Sequence, residues 1–183
     1  MLRGLLRRPI ELLVTAADVL LAAFGVMAGR KRGAFESTVF VRAPRETVWG
    51  HLAADRHVYD GPPVMELVDE LLPGSDNLRL TRMSIEGRQI AQIVQRLVRQ
   101  DAAEGVLIVQ ILPHELTQPP LPGTDHCSFT AIKEVPGGTA LTIRHEMTFT
   151  SFRQRVRLPL GVRHAAMRLK RQLEKEAARK PAG

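Results

Sequence analysis

Val39-Phe40-Val41-Arg42-Ala43-Pro44-Arg45-Glu46-Thr47-Val48-Trp49-Gly50-His51-Leu52-Ala53-Ala54-Asp55 reads as the end of a strand, a break and a short helix. Phe35, Val39 and Val41 share one face of a strand over 35–42 that is rich in β-branched residues. Pro44 stands where a helix begins, because the N–H it lacks is one the first turn leaves unpaired anyway. Val48, Trp49 and Leu52 give that helix an apolar stripe, and it is expected to end near Asp55. Gly61-Pro62-Pro63 then breaks the chain.

Downstream, turn signals divide the chain into strands. Pro73-Gly74-Ser75-Asp76-Asn77 separates 64–72 from 78–86, and Glu86-Gly87 leads into 88–101. Ala103-Glu104-Gly105 leads into 106–112, a Pro-rich loop covers 113–125, and a strand runs from Cys127 to Val135. Pro136-Gly137-Gly138 is expected to turn a hairpin onto Ala140–Phe149. Ile90, Ile93, Val94, Leu97 and Val98 have helical spacing, yet the flanking turns and the Ile/Val content favour a strand there. The tail, helical and basic from about Ser151 onward, carries Leu158, Val162, Ala165, Ala166, Leu169 and Leu173 three to four residues apart. Pro159 and Gly161 place the start of that helix near Leu160. The expected plan is α+β: a curved antiparallel sheet of about seven strands wrapped around a long C-terminal helix.

The Ala43-Pro44 to Val48-Trp49 motif, with Leu52 before Asp55, resembles the opening of the START-like (SRPBCC) superfamily. That superfamily has the helix-grip fold shared by polyketide cyclase/dehydrase and lipid-transport-like proteins. Gln95-Arg96-Leu97-Val98-Arg99-Gln100-Asp101, leading into 105–112, is a second and weaker echo, and the order of elements agrees over 34–178. The resemblance implies a ligand-binding domain over 34–180 with an apolar cavity between sheet and helix. It does not imply a ligand, because this fold hosts many functions. Tyr59-Asp60-Gly61-Pro62 stands where the family often has an aromatic residue.

Residues 1–33 lie outside that pattern. Ile10 to Gly29 is mostly apolar and is bracketed by Arg7-Arg8 and Arg30-Lys31-Arg32. As a helix it would be about 30 Å long, enough for a hydrocarbon core. Glu11, Thr15 and Asp18 fall on one stripe, which also suits a helix lying in the interface. A membrane anchor, a cleaved signal peptide and a helix packed on protein are all open here. The charge is divided in the same sense. Residues 1–33 hold six Lys/Arg and two acids, and 151–183 hold ten and two, whereas 34–150 hold ten against fifteen acids. Two basic ends on an acidic body point to an anionic surface. Arg7, Arg8, Arg30, Lys31 and Arg32 are the candidate membrane contacts, joined in the tail by Arg153, Arg155 and Arg157. Aromatic content of 4% disfavours nucleic acid as the partner.

On the last strand Leu141, Ile143, His145, Met147 and Phe149 share a face. Ile143, His145, Met147 and Phe149, with Cys127 and Phe129 from the neighbouring strand and Val109 and Ile111 from the one before, are the candidate ligand-binding residues. His145 is either a polar contact in an apolar pocket or a hydrogen-bonded core histidine. His114, Glu115, His126 and Cys127 have metal-ligand chemistry, but adjacent strand residues point to opposite faces and ligate together poorly, so no metal is expected. No phosphate loop, nucleophile elbow or zinc-protease motif is present, and no cofactor is implied. The expected function is binding, possible as transport, of a lipid, quinone or polyketide-like molecule at the cytoplasmic face of a membrane. A cyclase or dehydratase using His145 as acid/base is the rival; it requires a second titratable group facing His145. A protein-interaction module using the basic last helix is a third alternative. Soluble and exported locations follow from the other two readings of the first segment.

Overall fold

The computed structural model describes residues 32–59, 64–118, 123–149 and 152–179. The strands are β1 (Arg32–Val41), β2 (Arg56–Tyr59), β3 (Met65–Leu71), β4 (Leu78–Ile85), β5 (Arg88–Asp101), β6 (Val106–Leu112), β7 (Gly123–Val135) and β8 (Gly138–Phe149). The helices are α1 (Arg45–Leu52), between β1 and β2, and α2 (Phe152–Arg179), after β8. All eight strands form one antiparallel sheet in the order β1-β8-β7-β6-β5-β4-β3-β2. The α+β helix-grip plan holds, with eight strands where about seven are expected. The extra one is β2, four residues pairing with β3 at the sheet edge and too short to show an alternation of its own.

The quoted stretch folds as read. Pro44 precedes α1 with extended ψ, and its carbonyl accepts from Val48 N. Val48 is fully buried, with Trp49 and Leu52 packed partly against the same cluster. The Arg45 guanidinium donates to the carbonyls of Ala102 and Ala103, tying α1 to the β5–β6 turn.

Residues 88–101 form a strand whose apolar residues serve both faces, which explains their helix-like spacing. Val94, fully buried, and Leu80, nearly so, are direct partners on the outer face, while Ile93 and Leu97 alternate to the inner one. A β-bulge shifts the register between Leu97 and Arg99.

The main core lies between α2 and one edge of the sheet. Val39 and Val41 of β1, Leu141 and Ile143 of β8 and Ile132 of β7 meet Val162, Ala166, Leu169 and Leu173 of α2. The helix begins at Phe152, two turns before the expected start at Leu160, and Pro159 lies inside it. Arg155, Pro159, Val162, Ala166, Leu169 and Leu173 are all buried. Continuous packing along that face offsets the backbone hydrogen bond that proline removes. Ala165, expected in the apolar stripe, is exposed.

Gly105 closes the β5–β6 turn at φ +70°, and a Cβ there would lie 2.6 Å from Ile132 Cγ1 and 2.7 Å from its carbonyl oxygen. Ile132 N donates to Gly105 O over 2.8 Å, so neither backbone can retreat freely. Gly105→Ala is expected to cost about 2 kcal/mol or more, since left-handed strain and overpacking add. The shift of the urea midpoint measures it, and an unchanged midpoint contradicts this account of the turn.

Candidate inner-face ligand site

Antiparallel partners lie on the same side of a sheet, so the register fixes each face. His145 pairs with Phe35 on β1 and Ser128 on β7. Ser128 pairs with Val109 on β6, and Val109 with Leu97 on β5. A second inner row runs from His126 through Ile111 and Gln95 to Arg79. Val109, Ile111, Ile143, His145, Met147 and Phe149 therefore share the inner face, as expected from sequence.

Cys127 and Phe129 do not. Their partners are Glu146 and Arg144, on the outer face, where Phe129 lines a shallow cleft of ≈ 370 Å³ with Glu36, Ala131, Thr142, Arg144 and Glu146. The cause is the hairpin turn. Pro136 and Gly137 form it, with Gly137 at φ +81°, and Gly138 is already a strand residue paired with Val135. Counting Gly138 in the turn slips the register by one, and a one-residue slip exchanges the faces. Ser128, Thr130 and Ile132 occupy the inner positions of β7 instead. That strand also begins earlier than expected, with a bulge between Thr124 and Cys127.

The helix packs on β1 and β8 and touches the far edge at β2. Arg168 of α2 also reaches Met65 of β3, with Nη1 3.9 Å from Sδ. The helix thus packs mainly on the β1–β8 edge of the sheet and only touches the β2–β3 edge. Ile93 and Leu97 of β5 and Leu107 and Val109 of β6 face inward yet are only half-buried. In a core filled by the helix they would be closed off from solvent, as Val41 and Leu141 are. The middle of the inner face is thus a largely apolar wall that is only partly covered.

Two polar groups edge that wall. At the β7–β8 side, His126 Nε2 and His145 Nδ1 are 2.8 Å apart, with ring centroids at 5.1 Å. Burial lowers both histidines to about 4, with His145 adding to the effect on His126. Both are neutral at pH 7, one nitrogen of the contact donating and the other accepting. His126 is 9% exposed. The sequence placed it in a metal pair, and only the fold brings it to His145. At the β3–β4 side, Asp69 and Thr81 are cross-strand partners, and Arg79 is two residues before Thr81. Asp69 Oδ1, Thr81 Oγ1 and Arg79 Nε are buried with no hydrogen-bond partner, although Arg79 Nη1 binds Asp55 at 2.6 Å. Sequence reasoning did not select these three; the alternation of β3 and β4 was the signal that could have found them.

The two helices also meet. His51 of α1 meets Glu176 of α2, Nδ1 to Oε2 at 3.2 Å, and its ring centroid lies 4.8 Å from that of His57. Burial and then His51 lower the His57 pKa, partly offset by Asp69 and Glu176. Among the described residues, no group of three or more His, Cys, Asp or Glu converges as a metal site. His114 Nδ1 accepts from Leu116 N instead. Arg155, read as a candidate lipid contact, is 5% exposed and lies over the Phe149 ring, 5.4 Å from its centroid. Its aliphatic stem and flat cation suit an aromatic floor better than water. Arg7, Arg8, Arg30 and Lys31 fall outside the described residues. Arg32 opens β1, largely exposed and 3.4 Å from Glu146.

This arrangement is a helix-grip fold. Solved structures agree at the level of fold. Ara h 8.0201 superposes with a TM-score of 0.59 at 12% identity, over 81% of this chain and 99% of its own. The Zhui aromatase/cyclase from Streptomyces does so at 0.57 and 17%, over 83% and 98%. An uncharacterized protein from Bacillus thuringiensis gives 0.56 and 15%, over 78% and 99%. No protein-family model matches the chain, and no curated protein matches it.

Proposed function

We propose that this protein has a hollow between α2 and the inner face of its sheet and binds there an apolar small molecule, such as a lipid, quinone or polyketide-like compound, at a membrane surface. The observation that carries this is the largely apolar inner wall of β5 and β6, only half-buried by the described residues. Covering that wall with an apolar ligand is favourable by about 25 cal/mol per Å², before the costs of association. Native mass spectrometry of protein extracted gently from its own cells is expected to show a co-purifying small molecule lost on denaturation. A single mass equal to the bare chain, in several gentle extractions, contradicts the proposal.

The membrane part is supported by sequence and topology together. The odd-numbered strands begin, and the even-numbered ones finish, at one end of the sheet. The chain enters β1 at that end, directly after the apolar stretch 10–29 and its basic flank. Among the described residues no helix is long and apolar enough to cross a membrane; the stretch 10–29 is the segment to which we assign attachment. Full-length protein is expected to sediment with membranes through a high-salt wash, and a chain starting at Gly33 to stay in the supernatant. Equal partitioning of the two removes the first segment from this role.

A second reading has one observation in its favour. His126 supplies the titratable partner that an enzyme using His145 as acid/base requires. Against it, histidines lowered to about 4 are weaker bases near neutral pH than those tuned for proton transfer there. Binding is the better account.

A further inference from the structure

We infer that the His126–His145 pair makes the hollow select an apolar ligand bearing an uncharged oxygen, a carbonyl or a hydroxyl, over one ending in a carboxylate or phosphate. This rests on the binding function proposed above and specifies its ligand class. Both side chains project from the inner face, on β7 and β8, and their contact of 2.8 Å uses one nitrogen of each ring. Phe35 and Ser128 are the cross-strand partners of His145, Ile111 is that of His126, and Ile143 and Met147 flank His145 on the same face. None of these carries a charge; Arg79, in the same inner row as His126, stands three strands away on β4 and is paired with Asp55. Glu146 and Arg144 point outward and pair with each other. Arg155 of α2 is turned onto the Phe149 ring, and Arg168 of α2 reaches toward Met65.

A neutral pair joined by a single hydrogen bond has a fixed polarity. If His126 Nε2–H donates, His145 Nδ1 is the acceptor, so Nε2 of His145 carries a proton and can donate to a carbonyl. If the shared proton belongs to His145, its Nε2 is bare and accepts from a hydroxyl. The pair thus meets either kind of neutral oxygen by exchanging tautomers, with no net charge moved. A carboxylate or phosphate placed there loses its hydration and finds no cation in the pair, which is the expensive case of an unpaired buried charge.

Four probes with one ring system test this on the full-length protein at about pH 7.5: 2-naphthol, 2-acetylnaphthalene, 2-naphthoate and 2-methylnaphthalene. The first two are expected to bind at least tenfold tighter than 2-naphthoate and several-fold tighter than 2-methylnaphthalene. In His145→Phe and His126→Phe the advantage over 2-methylnaphthalene should fall to within about twofold. Spectra of 15N-histidine-labelled wild type provide a readout that needs no variant. The ligand-facing nitrogen should be pyrrole-type with 2-acetylnaphthalene and pyridine-type with 2-naphthol. Binding of 2-naphthoate as tight as 2-naphthol, a preference that survives both substitutions, or identical spectra in the two complexes overturns the inference. In those cases 2-methylnaphthalene still binds and the hollow remains a ligand site. If it does not bind either, the proposed function falls as well.

Discussion

Between pH 6.5 and pH 4 the folded domain is expected to lose on the order of 3 to 5 kcal/mol of stability through His126 and His145. The ordinary histidine value is 6.5, and burial lowers both to about 4 in the fold. In that window the unfolded chain holds protons that the folded one does not, so stability rises with pH there. The contribution is complete above pH 6.5 and disappears as pH falls through 4. His57, also lowered by burial, acts in the same direction. Urea unfolding at several pH values from about 7.5 to 4.5 should show the midpoint falling steadily below pH 6.5. In the double variant His126→Phe/His145→Phe the fall should be clearly shallower. A wild-type midpoint that stays level across this range means the pair is not buried and neutral, and its role in ligand selection goes with it.

Leu141→Ala is expected to destabilise the protein by about 3 kcal/mol, within the range for buried leucines. Leu141 is fully buried on β8 within the cluster that includes Val39, Ile132 and Leu173. Strands on both sides and the helix above prevent the site from collapsing into the space left. Leu160→Ala is the internal control, since Leu160 is 45% exposed on α2, and its effect should stay within about 0.5 kcal/mol. Comparable losses for the two leucines would show that α2 presents another face to the sheet.

The elements that define the fold were legible because local chemistry controls them. Val41 to Leu52 carries its own signals: a β-branched strand, a proline at the first helical turn, and an apolar stripe that can only point to the core. Segment 88–101 was decided by its flanking turns rather than its periodicity. Val94 and Leu80 on the outer face, with Ile93 and Leu97 on the inner, produce helix-like spacing in a strand apolar on both sides. The early start of α2 was hidden because proline disfavours a helix interior by its local effect alone. Burial of Arg155 and Pro159 on the sheet acts over the whole packed face and prevails.

The candidate site divides along the same line. Alternation within β8 put Ile143, His145, Met147 and Phe149 on one face, and no tertiary information was required. Cys127 and Phe129 went to the wrong side because the face of β7 depends on whether Gly138 belongs to the turn. A Cβ at Gly138 would lie 2.2 Å from Val41 O, so glycine at this position lets β8 run close against β1. The partnership of His126 with His145 follows from that register and from the bulge ahead of Cys127.

The order of the two helices and of every strand but β2, and the alternation along those strands, follow from neighbours a few residues apart. Which strand faces meet, the contact of His126 with His145 and the half-burial of the inner wall of β5 and β6 come instead from packing between distant segments. Those outcomes rest on register and sheet curvature, in which one residue of turn length or one backbone contact from a distant strand reverses the result.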